Sequence, residues 1–221
     1  MSAKSSLAVQ MDAIQGELQP LLKARGFRKR GRTLNRLTED GLTQVVNYQM
    51  GPFEPPGAGE IPGFRDNLYG LFTMNLGVYV PEVDELLSQA KPRSFIAEPY
   101  CCVRARLGAI AKEDPGDRWW AIALDPVLIR ELYCRLEHDG LPFLEHFASR
   151  DAILREWDGH DRHAFAGRPP RIVSAMIQFK RGNSTQAKEL LEAQARETHV
   201  AGHRGYVIGL AETLGLGPLD S

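Results

Sequence analysis

Residues 68–80, LYGLFTMNLGVYV, limit the possible folds more than any other stretch of this chain. Phe72, Met74, Leu76, Val78 and Val80 point one way; Thr73, Asn75, Gly77 and Tyr79 point the other. Period-two alternation marks a β-strand with one buried face. A run of this length crosses a whole sheet, so a central position is expected.

The segments around it supply the rest of an antiparallel sheet. Val46, Tyr48 and Met50 alternate with Val45, Asn47 and Gln49, giving a strand over 42–50. Glu39-Asp40-Gly41 supplies the hairpin turn before it, because Asp-Gly suits the positive φ of such turns. Residues 102–108 read as a further strand, with Cys101, Val103, Ala105 and Leu107 facing away from Cys102, Arg104 and Arg106. Arg118–Ile122 reads as a last strand. Upstream, Leu7, Met11, Ile14, Leu18 and Leu21 form one apolar helical stripe. Pro20 inside it predicts a kink near residues 16–20, and Gly26 a C-terminal stop. Asp125-Pro126 reads as N-cap and first turn of a helix running to about His138 and stopping at Gly140. Helices are then expected over 142–157, 170–181, 184–199 and 203–214. The fold class is α+β: an antiparallel sheet of about five strands packed on an N-terminal helix, with a helical C-terminal part. The loop-like GHDRHAFAGRPP places a boundary near 158, dividing an α+β domain (1–158) from a helical extension (159–221) packed on it.

With 221 residues the chain can bury roughly 70% of its unfolded surface. A net charge of −1 points to neither nucleic acid nor membrane. Three cysteines, two of them adjacent, suit a reducing compartment better than a disulfide framework. The N-terminus lacks an apolar core of signal-peptide length, and no apolar run is long enough to span a bilayer. A cytoplasmic location is expected.

Several segments come in an order that resembles a known family: GFRKRGRT (26–33), VNYQ (46–49), FTMNLGV (72–78), CVRARLG (102–108), DRWW (117–120) and LPFL (141–144). The series is similar to the bacterial domain-of-unknown-function 4304 family over residues 10–148. The resemblance implies a bacterial, cytosolic α+β domain. It implies no catalytic residues, and the helices after about 150 lie outside it.

Residues 25–36 carry six basic side chains and no acidic one. They read either as an anion or nucleic-acid patch or as an edge strand whose charges block edge-to-edge pairing; the edge strand is favoured. Residues 51–67 hold four Pro and four Gly, a long irregular loop of the kind that is often functional. Its Gly57-Ala-Gly59 has no preceding strand or following helix, so no dinucleotide site is read there. Adjacent Cys101 and Cys102 are either structural thiols or, beside Arg104, an activated nucleophile. His199/His203 and His160/His163 are two-ligand fragments, short of the three or four a zinc site needs. No metal or cofactor is expected.

On the strand face opposite Phe72 and Met74, the polar residues coincide: Asn47, Gln49, Thr73, Asn75, Arg104 and Arg106. One of the two tryptophans 119 and 120 joins them. Arginine forks bind carboxylate or phosphate, and amides orient a ligand. Gln49, Asn75, Arg104, Arg106 and Trp120 are the candidate ligand-binding residues. The bland reading is a solvated face, or a polar network beneath the C-terminal helices. The expected function is a non-enzymatic protein-binding module, of immunity type in one version. An enzyme or binder for an anionic small molecule on this face is the alternative. Nucleic-acid binding through 25–36 is third.

Overall fold

A computed structural model of the chain describes residues 5–52, 67–88, 93–157 and 166–219. Its centre is an antiparallel sheet. Strands β1 (Arg28–Arg30), β2 (Thr33–Leu37), β3 (Thr43–Met50), β4 (Leu71–Tyr79) and β5 (Val103–Arg106) lie in that order. A short β6 (Trp120–Ala121) also pairs with β4, beyond the end of β5. The alternating strand is central as expected: β4 pairs with β3 along one edge and with β5 and β6 along the other. Gly41 has φ +77° in the β2–β3 turn, where Thr38 closes the hairpin on Leu42.

Helix α1 (Ser6–Ala24) covers one face of the sheet. Its Met11, Ile14, Leu18 and Leu22 join Leu34, Val46, Tyr48, Phe72, Met74 and Leu76 in one buried cluster. A fully buried side chain of this kind contributes roughly 1.5–3 kcal/mol. The helix runs unbroken through Pro20 and ends before Gly26 at φ +85°. Helix α2 (Pro81–Ser88) follows β4 directly.

Helix α3 (Pro126–Arg135) starts where the Asp125 carboxylate accepts the Val127 amide at 2.9 Å. It does not stop at Gly140. A π-turn (Leu136–Gly140) carries it into α4 (Leu141–His146). Pro142 has no N–H for the His138 carbonyl and its ring crowds that turn, so the backbone widens there. Gly140 keeps helical angles, and its role is clearance: a Cβ there would meet Leu107 Cδ1 at 3.0 Å. The helix expected over 142–157 is two helices, because Ser149 caps a new start at α5 (Arg150–Trp157), accepting the Ala152 amide at 3.2 Å.

Helices α6 (Pro170–Lys180), α7 (Ser184–Glu197) and α8 (Ala201–Thr213) follow. Their Val173, Ile177, Leu191, Val207 and Ala211 belong to the same buried cluster as α1 and the sheet. The C-terminal helices therefore extend one core rather than building a second. The expected boundary at 158–159 lies outside the described residues. Just after that gap, Ala166 bridges Val103 and the Gly167 amide donates to the Cys102 carbonyl at 2.6 Å, which covers the open edge of β5.

Arginine–carboxylate pairs tie these elements together. Glu82, buried at the start of α2, is gripped by both arms of Arg150 (2.5 and 2.8 Å). Arg150 also holds Asp40 in the β2–β3 turn, its amide donating to that carboxylate at 2.7 Å. One side chain so joins the hairpin, α2 and α5.

Candidate functional site

The strand register gathers the polar residues into a single cross-strand row. Arg30 stands opposite Thr33, Thr33 opposite Asn47, Asn47 opposite Asn75 and Asn75 opposite Arg106. At strand spacing of about 4.8 Å the row spans roughly 19 Å. Two arginines end it, and a hydroxyl and two amides form its middle.

The middle is held by hydrogen bonds. Asn47 Nδ2 donates to Thr33 Oγ1 at 2.9 Å. Asn75 Nδ2 donates to Gln49 Oε1 at 2.8 Å and, at 3.4 Å, to Asn47 Oδ1. Asn75 is buried, Asn47 and Thr33 are half-buried, and Gln49 is exposed. Thr73, beside Gln49 in register, is capped by its bond to the Arg118 carbonyl at 3.0 Å. Arg106 is half-buried, lies 5.2 Å over the Trp119 ring and pairs with the exposed Asp117.

On the other side of the row the same sheet face is covered. Segment 93–101 crosses it, and Ile96 and Cys101 close a small apolar cluster with Val45 and Tyr79. Asn35 secures the crossing by accepting the Ile96 amide at 2.6 Å and donating to its carbonyl at 2.9 Å. Asp84 accepts from Arg93 Nε at 2.7 Å and from the Tyr79 hydroxyl at 3.1 Å. Burial alone pushes the Asp84 carboxyl up. The bonds from Arg93 and Tyr79, with the Arg93 charge, outweigh that and hold it below the ordinary value. Burial and the Asp84 charge lift the Tyr79 phenol to about 12.

The candidate residues are therefore sorted by the fold. Gln49, Asn75 and Arg106 come together on the row or touching it. Arg104 shares the face but its fork is filled: Nε and Nη2 bind the two oxygens of buried Glu98 at 2.6 and 3.0 Å. Trp120 is a correction. It stands opposite Phe72 on the core face, buried, with ring centroids 5.9 Å apart, and its indole N–H donates to Glu131 at 3.2 Å. β6 register sends Trp120 inward, and it is Trp119 that meets Arg106. Arg30 and Thr33 do not emerge from the sequence, because β1 is three exposed basic residues with no alternation and only its pairing with β2 puts Arg30 opposite Thr33. The run itself is an edge strand with Arg28, Lys29 and Arg30 exposed.

The remaining chemistry is quiet. The alternation expected over 101–107 breaks at its start, because β5 begins only at Val103. Cys102 joins the main core and Cys101 the small cluster over Gly77. Burial pushes the Cys102 thiol up to about 12 and the Cys101 thiol well above its ordinary value, the opposite of an activated nucleophile. His199 precedes α8 and His203 lies inside it, bonded to Gln194 at 3.2 Å, so the pair does not share a helix face. His160, His163 and the loop's Gly57-Ala-Gly59 lie outside the described residues. Among the described residues no cluster of three or more His, Cys, Asp or Glu is placed to hold a metal. Among them, too, no helix is long and apolar enough to cross a membrane.

No family model matches this chain, and no curated protein or solved structure is significantly similar to it.

Proposed function

We propose that the chain is a non-enzymatic binding module that recognises a protein partner through its polar sheet face. The setting is the bacterial cytosol that the family resemblance implies, and an immunity-type role is one form the module takes. The observation that carries the reading is the Arg30–Thr33–Asn47–Asn75–Arg106 row. Its length of roughly 19 Å suits a stretch of polypeptide better than a small metabolite. Its amides are already ordered by one another, so little side-chain freedom is lost on binding. The guanidinium over Trp119 pairs with an exposed carboxylate that a partner's acidic side chain can replace.

An anionic small molecule is the alternative. It finds one guanidinium free for exchange near the amides, Arg106, because Glu98 occupies Arg104. Nucleic acid through the β1 run is third, since the exposed run has no flanking row of aromatics on which bases would stack.

Site-specific photo-crosslinking tests the reading. A benzophenone side chain in place of Gln49 is expected to trap one defined protein in cells. The same group in place of exposed Arg181, at the end of α6, is expected not to. Trapping of nucleic acid or of nothing from position 49 overturns it.

A further inference from the structure

A groove lies between α1 and α3, on the helix-covered side of the molecule and away from the polar row. Its volume is about 550 Å³, and Glu17, Leu124, Pro126, Ile129, Arg130 and Tyr133 line it. Leu124 is 52% exposed and Tyr133 40%, and neighbouring Val127 is 69% exposed. The core packing does not use these side chains. Contiguous exposed apolar surface of this kind marks a contact site, and aromatic and arginine side chains are the common anchors of such sites.

The charges on the groove select the occupant. Glu17 on the α1 wall and Arg130 on the α3 wall are both exposed, and neither has an ion-pair partner among the described residues. An occupant must bring an apolar centre, a cation for Glu17 and an anion for Arg130. A second copy turned by a two-fold axis brings all three, because in an isologous contact residue i meets j and j meets i. We propose that this groove is the interface of a homodimer in which Glu17 of each copy faces Arg130 of the other. The polar row takes no part in this contact.

Sedimentation velocity over a concentration series tests this with the full chain. The wild type is expected to dimerise reversibly, and Leu124→Lys to abolish dimerisation while its far-UV spectrum stays that of the wild type and its melt matches that of wild type diluted to monomer. Glu17→Arg and Arg130→Glu, each alone, are expected to weaken the dimer about tenfold or more through like charges across the contact. Mixed one to one, the two variants are expected to form a mixed dimer of wild-type strength, since each copy then supplies the charge the other needs. A wild type monomeric at every concentration overturns the proposal. So does a dimer indifferent to these changes, or a mixture that gains nothing over its components. A monomer that carries a different protein on this groove counts against it equally.

Discussion

Two residues show what burial does to a polar group in this fold. The Tyr48 hydroxyl is buried in the main core with no hydrogen-bond partner among the described residues, and burial pushes its ionisation up. A lone buried hydroxyl costs roughly 1–3 kcal/mol of desolvation. Tyr48→Phe is therefore expected to leave stability unchanged or raise it by about 1 kcal/mol in urea titration; a loss of that size instead means the hydroxyl has a partner. Asp84 is the opposite case, buried but doubly bonded. Its folded-state value lies below the unfolded one, so its contribution is present above about pH 4 and lost as pH falls through the folded value. The gap in melting temperature between wild type and Asp84→Asn is expected to be widest at neutral pH and to close below about pH 4. A gap that stays constant to pH 3 contradicts the Arg93–Asp84–Tyr79 arrangement.

At the scale of elements, glycines mark where backbones come too close for a side chain. A Cβ on Gly167 would lie 2.5 Å from the Cys101 carbonyl oxygen and from Arg104 Cδ. Gly167→Ala is expected to lift this segment off the β5 edge and cost about 1–3 kcal/mol, with faster exchange of the residue-167 amide that donates to the Cys102 carbonyl. An unchanged melt and exchange pattern would show that the edge is not closed this way. Much at this scale was legible beforehand. The alternation of β3 and β4, the Asp125-Pro126 start and the turns at Gly26 and Gly41 all carry local chemistry that acts within a few residues. The misreadings have one cause. Gly140 looked like a helix stop because the sequence does not show Leu107 pressing on it. The alternation that would sort Cys101 and Cys102 onto faces does not apply to them, since β5 begins only at Val103. For Trp120, the sequence leaves open which of two adjacent tryptophans pairs with Phe72 and which meets the polar face. Each depends on a long-range neighbour, not on a local preference.

At the scale of the whole molecule, one buried cluster runs from Met11 on α1 to Ala211 on α8. The chain is accordingly expected to unfold in a single calorimetric transition, with equal calorimetric and van't Hoff enthalpies; two resolved transitions would show that the C-terminal helices melt on their own. The same architecture leaves the molecule two unlike faces. Helices and the Arg150 clasp cover one, and the 93–101 crossing packs on part of the other. Beside that crossing lies a polar row, exposed at Arg30 and Gln49 and buried at Asn75, that only the register of five strands assembles, which is why its outer members do not stand out in the sequence. The account's central claim is that this row recognises a protein. Affinity capture tests it most directly: tagged wild type, the double variant Gln49→Ala/Arg106→Ala and the control Arg181→Ala are compared by quantitative mass spectrometry. The account predicts one protein retained at near one-to-one ratio by wild type and control and depleted at least about tenfold by the double variant, as expected when interface anchors are lost. Equal retention by all three, or retention of none, would contradict it.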